Sequence, residues 1–285
     1  MLNANSLALD LESVEKRIIR FLRTRLSESG RKGFVFGLSG GVDSSTTAAL
    51  CARAVQHDSL LGLIMPHRES DSQDKEHALL LVNELKIPYK IIDITGAVDA
   101  ISANLPNPST TGAPGRDLEN TTRNTLGNVK ARIRMINLYM VSNETNSMVV
   151  GSGDKSEFLI GYFTKYGDGG TDILPIADLY KTQVRALAEH LGVPEVIATK
   201  PSSPGLWKNQ TAEGEIGIKY EQLDLILYGL EHFLEPKQIA DALKISVETV
   251  LKVENTIRKA EHKRRGGIVF KIGYRTPTLD WRIPL

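Results

Sequence analysis

The stretch FVFGLSGGVDSSTTAAL, residues 34–50, decides how the chain is built. Its start, FVFGLS, has the aromatic and β-branched content of a buried strand, and after Gly40-Gly41 the run turns to small, hydroxyl-bearing residues that open a helix. Only a two-glycine turn separates the two. A strand handed directly to a helix is the first half of a βαβ unit, so the stretch predicts a parallel sheet with right-handed crossovers. Working outward, LLGLIMP (60–66), YKIIDI (89–94) and SMVVGS (147–152) read as further strands, and SQDKEHALLLVNEL (72–85) as the helix between the second and third. Ahead of them, Leu11, Val14, Ile18, Ile19, Leu22 and Leu26 recur at helical spacing until Ser29-Gly30, which predicts a leading amphipathic helix. Residues 122–144 and 178–191 read as helices, and 104–120, rich in proline and glycine, as a long mobile loop. The predicted fold class is α/β: a doubly wound, Rossmann-like parallel sheet with a C-terminal helical appendage.

Composition bounds the function. At 285 residues, 41% hydrophobic and 24% charged, the chain has room for one large unit with appendages and excludes global disorder. The boundaries expected are 1–265 for the main domain, including a helical segment 213–265, and 266–285 for a tail. A formal charge of +1 offers no general field for a polyanion, so neither nucleic acid nor an anionic membrane is an expected partner. Any anion site must be local. The single cysteine, Cys51, permits no internal disulfide and no cysteine-rich metal site, and a reducing cytoplasm is expected. It reads as a small core residue. Residues 235–265 carry a net +3 and outline a helix-turn-helix around Lys244-Ile245-Ser246, which keeps a DNA-binding regulator open as an alternative. Against it, the second helix presents Val247, Val250, Leu251, Val253 and Ile257, the pattern of a packing face.

SGGVDSS (39–45) carries the chemistry. Gly40 and Gly41 let backbone N–H groups approach an anion, the helix N-terminus adds unsatisfied donors, and Ser39, Ser44 and Ser45 add hydroxyls. An ordinary strand-to-helix turn with a capping serine has the same outline. Asp43 shifts the balance, since a carboxylate beside a phosphate implies a cation between them, and magnesium is the expected one. The lysine of a P-loop is missing.

SGGxDS resembles the pyrophosphate loop of the N-type ATP pyrophosphatases, of the adenine nucleotide alpha-hydrolase type, which cleave ATP between its α and β phosphates to adenylate a substrate. Within that group, residues 151–194, containing GYFTKYGDGG, are similar to the NAD synthetase family, as are NVKARIRMINLY (128–139), KPSSPGLW (200–207) and EHKRR (261–265). The resemblance runs from about residue 14 to 265. It implies amidation of nicotinic acid adenine dinucleotide, with ATP as co-substrate and magnesium as cofactor, through an acyl-adenylate. With 33 residues ahead of the first strand and Cys51 embedded in the phosphate helix, the ammonia-dependent form is expected; the resemblance itself implies a homodimer.

The same resemblance assigns residues. Gly37, Leu38, Ser39, Gly40, Gly41, Val42, Asp43 and Ser44 are expected to bind ATP together with Ser152, Lys181 and Ser203, and Asp43 and Glu157 to hold magnesium. Arg132, Lys165, Asp172, His262 and Lys263 are expected to contact the dinucleotide. Asp172 is the expected catalytic residue, drawing ammonium to the acyl-adenylate and accepting its proton. Without the motif, Lys181 would read as a surface lysine and Glu157 as a solvated helix carboxylate. The chain departs from the family pattern at Ser203, where threonine is common, and at Ala212 and Gly214, where acidic residues are usual; contacts made there are expected to be weakened. It also departs after Arg265, where prolines often follow, which puts the path of the tail in question.

Overall fold

A computed structural model describes residues 2–104, 118–207 and 210–275. Four parallel strands, β1 (Gly33–Gly37), β2 (Leu60–Ile64), β3 (Tyr89–Ile91) and β4 (Ser147–Val150), lie in the order β3-β2-β1-β4. The chain winds from β1 to β3 in one direction and then returns to place β4 on the far side of β1. The reversal opens a crevice at the carboxyl ends of β1 and β4, where ligands bind in sheets of this kind.

Helices cover both faces. On one lie α1 (Leu11–Ser29), α2 (Val42–Ala54), α3 (Ser72–Leu85) and, from later in the chain, α7 (Lys181–His190). On the other lie α4 (Thr95–Ser102) and α5 (Leu118–Thr145). Alternate residues of β1 divide accordingly: Phe34 and Phe36 pack with Leu50, Leu81 and Leu187, while Val35 packs with Val98, Ile133 and Val149. Each of these side chains contributes roughly 1.5–3 kcal/mol by leaving water. Burial on both faces explains why the strand reads as a continuous apolar run.

Past β4, α6 (Lys155–Ile160) and α7 close the crevice, followed by α8 (Glu195–Ala198) and α9 (Ala212–Ile216). Helices α10 (Tyr220–Glu231), α11 (Pro236–Leu243) and α12 (Val247–Arg264) form a unit with its own core of Tyr220, Leu223, Leu227, Ile239, Val250 and Val253. The packing face expected of α12 is there for Val250 and Val253, whereas Leu251 is exposed. Gly161, at φ +73°, ends α6 where a side chain would strike Ala260 of α12. Cys51 is fully buried, and burial pushes its thiol far above the usual range. No helix among the described residues is long and apolar enough to cross a membrane.

Most of the expected 104–120 loop lies outside the described residues, and from Leu118 the chain is already helical. Helices α4, α6 and α10 were not separately legible. The first two are eight and six residues long, too short for a period to declare itself.

Candidate active site

The crevice widens into a cavity of about 530 Å³. One wall is the 37–44 loop, of which every residue except Gly40 faces the space. Gly40 adopts φ +76° with its back to α3, where a Cβ would lie 2.1 Å from the Asp74 carbonyl oxygen. Only glycine fits. The next residue, Gly41, is the N-cap of α2 and supplies no side-chain cap, so the first-turn N–H donors of the helix remain for an anion in the cavity.

The serines divide between shaping the loop and lying outside it. Ser44 Oγ donates to the Gly41 carbonyl at 3.1 Å and lies 3.0 Å from Ser39 Oγ, which in turn accepts from Gly41 N–H. Ser45, expected to donate to the anion, is fully buried instead, and its hydroxyl finds no partner among the described residues. Ser152 and Ser203 both line the cavity, and Ser203 Oγ accepts from Gly205 N–H at 3.1 Å.

At the mouth of the phosphate loop stands an ion cluster. Lys181, the first residue of α7, has no exposed surface, and its Nζ lies 2.6 Å from Asp43, 2.7 Å from Asp154 and 2.9 Å from Glu157. It is no surface lysine. Burial lowers the proton affinity of the ammonium, yet the three carboxylates outweigh burial and hold it well above the ordinary lysine range. Burial also raises the Asp154 carboxyl to about 6 and holds Glu157 well above the usual carboxylate range, with the neighbouring Asp154 charge adding to the effect on Glu157. The acidic ligand atoms gather within 4.8 Å of one another, and Asp43 Oδ1 is buried with no hydrogen-bond partner among the described residues. Three carboxylates against one ammonium leave an uncompensated charge that suits a divalent cation.

Asp154 was not among the expected residues. It is the N-cap of α6, its Oδ1 accepting from Glu157 N–H at 2.8 Å, and D-x-x-E at a helix start reads as capping alone. Also unforeseen are Arg134 and the pair Lys200–Asp74, joined at 2.6 Å across the cavity wall. Ala212, one of the departures, is a buried part of that wall.

The residues expected to meet the dinucleotide are arranged differently. Lys263 lines the cavity, held by donation from its Nζ to the Gly161 and Phe163 carbonyls. Behind it opens a second cavity of about 150 Å³, lined by Lys165, Tyr166 and Arg265 and sharing Phe163 and Lys263 with the first. Arg132 donates to the Lys165 carbonyl at 3.3 Å, and Lys165 Nζ to the His262 carbonyl at 2.6 Å, so these three form one connected run on the outer surface. Asp172 stands apart at the edge of β4. It accepts from Tyr139 Oη at 2.9 Å and Val149 N–H at 2.8 Å and is not part of either cavity wall.

Comparison with known proteins places this geometry. The family profile described as NAD synthase matches residues 14–267. The NH(3)-dependent NAD(+) synthetase of Sulfurisphaera tokodaii is 42% identical over 281 residues, covering 98% of this chain and 95% of that one. Among solved structures, the chain is similar to NMN synthetase from Francisella tularensis, with TM-score 0.78 and 28% identity over 93% of this chain and all of that one. It is similar also to the NH3-dependent NAD synthetase from Campylobacter jejuni, with TM-score 0.75 and 30% identity at the same coverage.

Proposed function

The chain belongs to the NAD synthase family, and from that premise we propose that it amidates nicotinic acid adenine dinucleotide with ammonia, converting ATP to AMP and pyrophosphate. In the first step a carboxylate oxygen of the nicotinate attacks the α-phosphorus of ATP and pyrophosphate leaves. In the second, the nitrogen of ammonia adds to the acyl carbon and AMP departs, with one proton released.

The observation that carries this reading is the uncapped start of α2 beside the carboxylate cluster, whose Asp43 and Glu157 line the same cavity. The α2 N–H groups and the loop from Gly37 to Ser44 hold phosphate oxygens, with Ser152 and Ser203 contributing hydroxyls from the facing wall. Asp43, Asp154 and Glu157 are the residues to hold magnesium, which when bound neutralises phosphate charge and favours attack at phosphorus. Lys181, waiting among those carboxylates, is the cation to pass to phosphate oxygens as the nucleotide arrives.

The dinucleotide spans the two cavities, passing Lys263 and meeting Lys165, His262 and Arg132. Arg132 is exposed, and Ile136 and Met140 further along the same helix are 55% and 51% exposed. A second copy of the chain laid on this face covers the apolar strip and completes the dinucleotide site, so a homodimer belongs to the reading. Asp172, fixed by Tyr139 and Val149 outside the cavity and next to Gly170 and Thr171 of its wall, is the carboxylate to attract ammonium and accept its proton. A reducing cytoplasm suits the single buried thiol.

One assay decides: incubate the protein with nicotinic acid adenine dinucleotide, Mg-ATP and either ammonium or glutamine, and measure NAD and AMP. NAD formed with ammonium supports the reading, and its absence overturns it. Because one structural neighbour is an NMN synthetase, the same incubation with nicotinic acid mononucleotide tests the shorter substrate.

A further inference from the structure

Helix α10 reaches the ion cluster from behind. Tyr220, Asp224, Leu227 and Glu231 recur at helical spacing along one stripe, which faces the starts of α6 and α7. The ring of Tyr220 lies 5.3 Å from Lys181 Nζ, and Glu231 pairs with Lys155 at 2.7 Å.

Asp224, between them, has no exposed surface. Ser156 Oγ donates to its Oδ1 at 2.5 Å, and Thr182 N–H donates to its Oδ2 at 2.8 Å. Ser156 Oγ in turn accepts from Lys181 N–H at 3.0 Å. The first two N–H groups of α7, which no helix can satisfy internally, are thus both satisfied through one carboxylate, once directly and once through a hydroxyl. A buried carboxylate is costly unless donors replace its water, and here its donors among the described residues come from the two segments that build the cluster. Ser156 sits between Asp154 and Glu157, and Thr182 follows Lys181. The spacing of the cluster's carboxylates from its ammonium is therefore tied to a single side chain of the C-terminal helical unit.

We propose that Asp224 is a positioning residue, setting the distance of Asp154 and Glu157 from Lys181 and thereby the affinity of the site for magnesium-bound ATP. It touches no reacting group. The inference rests on the reading of the main cavity as the ATP site.

The test uses two variants. Asp224→Asn keeps the shape of the side chain and one acceptor, while Ser156→Ala removes the hydroxyl that joins Asp224 to α6 and to the Lys181 N–H and leaves the direct bond from Thr182. Affinity for the magnesium complex of α,β-methylene-ATP, which resists cleavage between those phosphates, is measured by calorimetry beside affinity for nicotinic acid adenine dinucleotide. Both variants should weaken the nucleotide analogue by about tenfold, the effect of losing one buried hydrogen bond to a charged group, and leave the dinucleotide within about twofold. Their combination should be no weaker than the worse single variant, since both break one linkage. Val250→Ala, which trims the same helical unit away from the ions, should lower the melting temperature without altering either affinity. Unchanged analogue binding in both variants overturns the proposal, as does an equal loss for both ligands or an equal loss in Val250→Ala. If Asp224→Asn does not fold, Ser156→Ala decides by the same criteria. A wild-type protein that binds no analogue overturns the ATP-site reading itself, and this inference with it.

Discussion

Lys181 Nζ and Asp154 Oδ2 face each other across 2.7 Å, and neither side chain reaches solvent. Asp43 and Glu157, both partly exposed to the cavity, complete the shell around the ammonium, so one buried lysine offsets part of the charge of three carboxylates.

Removing that ammonium should leave the carboxylates uncompensated. Lys181→Met is expected to lower stability by roughly 3–5 kcal/mol in metal-free buffer, the cost of breaking a buried ion pair from one side. Added magnesium should recover part of the loss, because a divalent cation can take over the compensation. Thermal unfolding with and without magnesium checks both halves; a melting temperature equal to that of the wild type would contradict the arrangement.

Asp154 makes stability depend on pH in a stated direction. Burial raises its carboxyl to about 6, with Lys181 pulling the other way. Because the folded value lies above the unfolded one, the unfolded chain releases this proton first as pH rises. The stability this group contributes is present in full below about pH 4 and is lost as pH climbs through about 6. In metal-free denaturant titrations, the wild type should lose ground to Asp154→Asn between those limits. A gap that stays constant with pH would refute it.

The two glycines of the phosphate loop should respond differently to alanine. Gly40→Ala combines a left-handed backbone, worth roughly 1–2 kcal/mol, with a backbone clash, and both stability and ATP-analogue binding should fall. Gly41 has φ −94°, and a Cβ there meets Ser39 Oγ only at 3.4 Å. Gly41→Ala should therefore keep the melting temperature while its methyl obstructs the anion. Equal melting temperatures for the two variants would count against this account of the loop.

Asp172→Asn should slow amide formation more than adenylation. The two half-reactions separate as NAD formation from ammonium and exchange of labelled pyrophosphate into ATP. A loss of at least about tenfold in the first with little change in the second is the expected pattern. Tyr139→Phe, which removes the hydroxyl held by Asp172, should move the same step by less. If exchange and amidation fall together, Asp172 is not the ammonium residue.

How much of this was readable beforehand follows the range of the signals. Strand and helix patterns repeat over two to four residues, so residues 34–50 alone declare a strand, a Gly-Gly turn and a buried helix. The parallel sheet follows from repeating that unit. Local signals also mark the cavity loop, whereas Ser152 and Glu157 are assigned only by the resemblance, Glu157 on its own reading as a solvated helix carboxylate.

What lies across the chain could be settled only by folding. Asp43 and Lys181 are 138 positions apart and Ser156 and Asp224 are 68 apart, and nothing local in either segment states that they meet. Lys181 reads on its own as a solvated residue of an amphipathic helix, and Asp154 as a helix cap. Their burial together is imposed by the packing of α6 and α7 against α2 and α10. The sequence by itself determined the sheet, the phosphate turn and the chemical types available to the site. Tertiary structure decided which charges share one partly buried space, because electrostatic interaction strength depends on distance and burial, and both are properties of the folded chain alone.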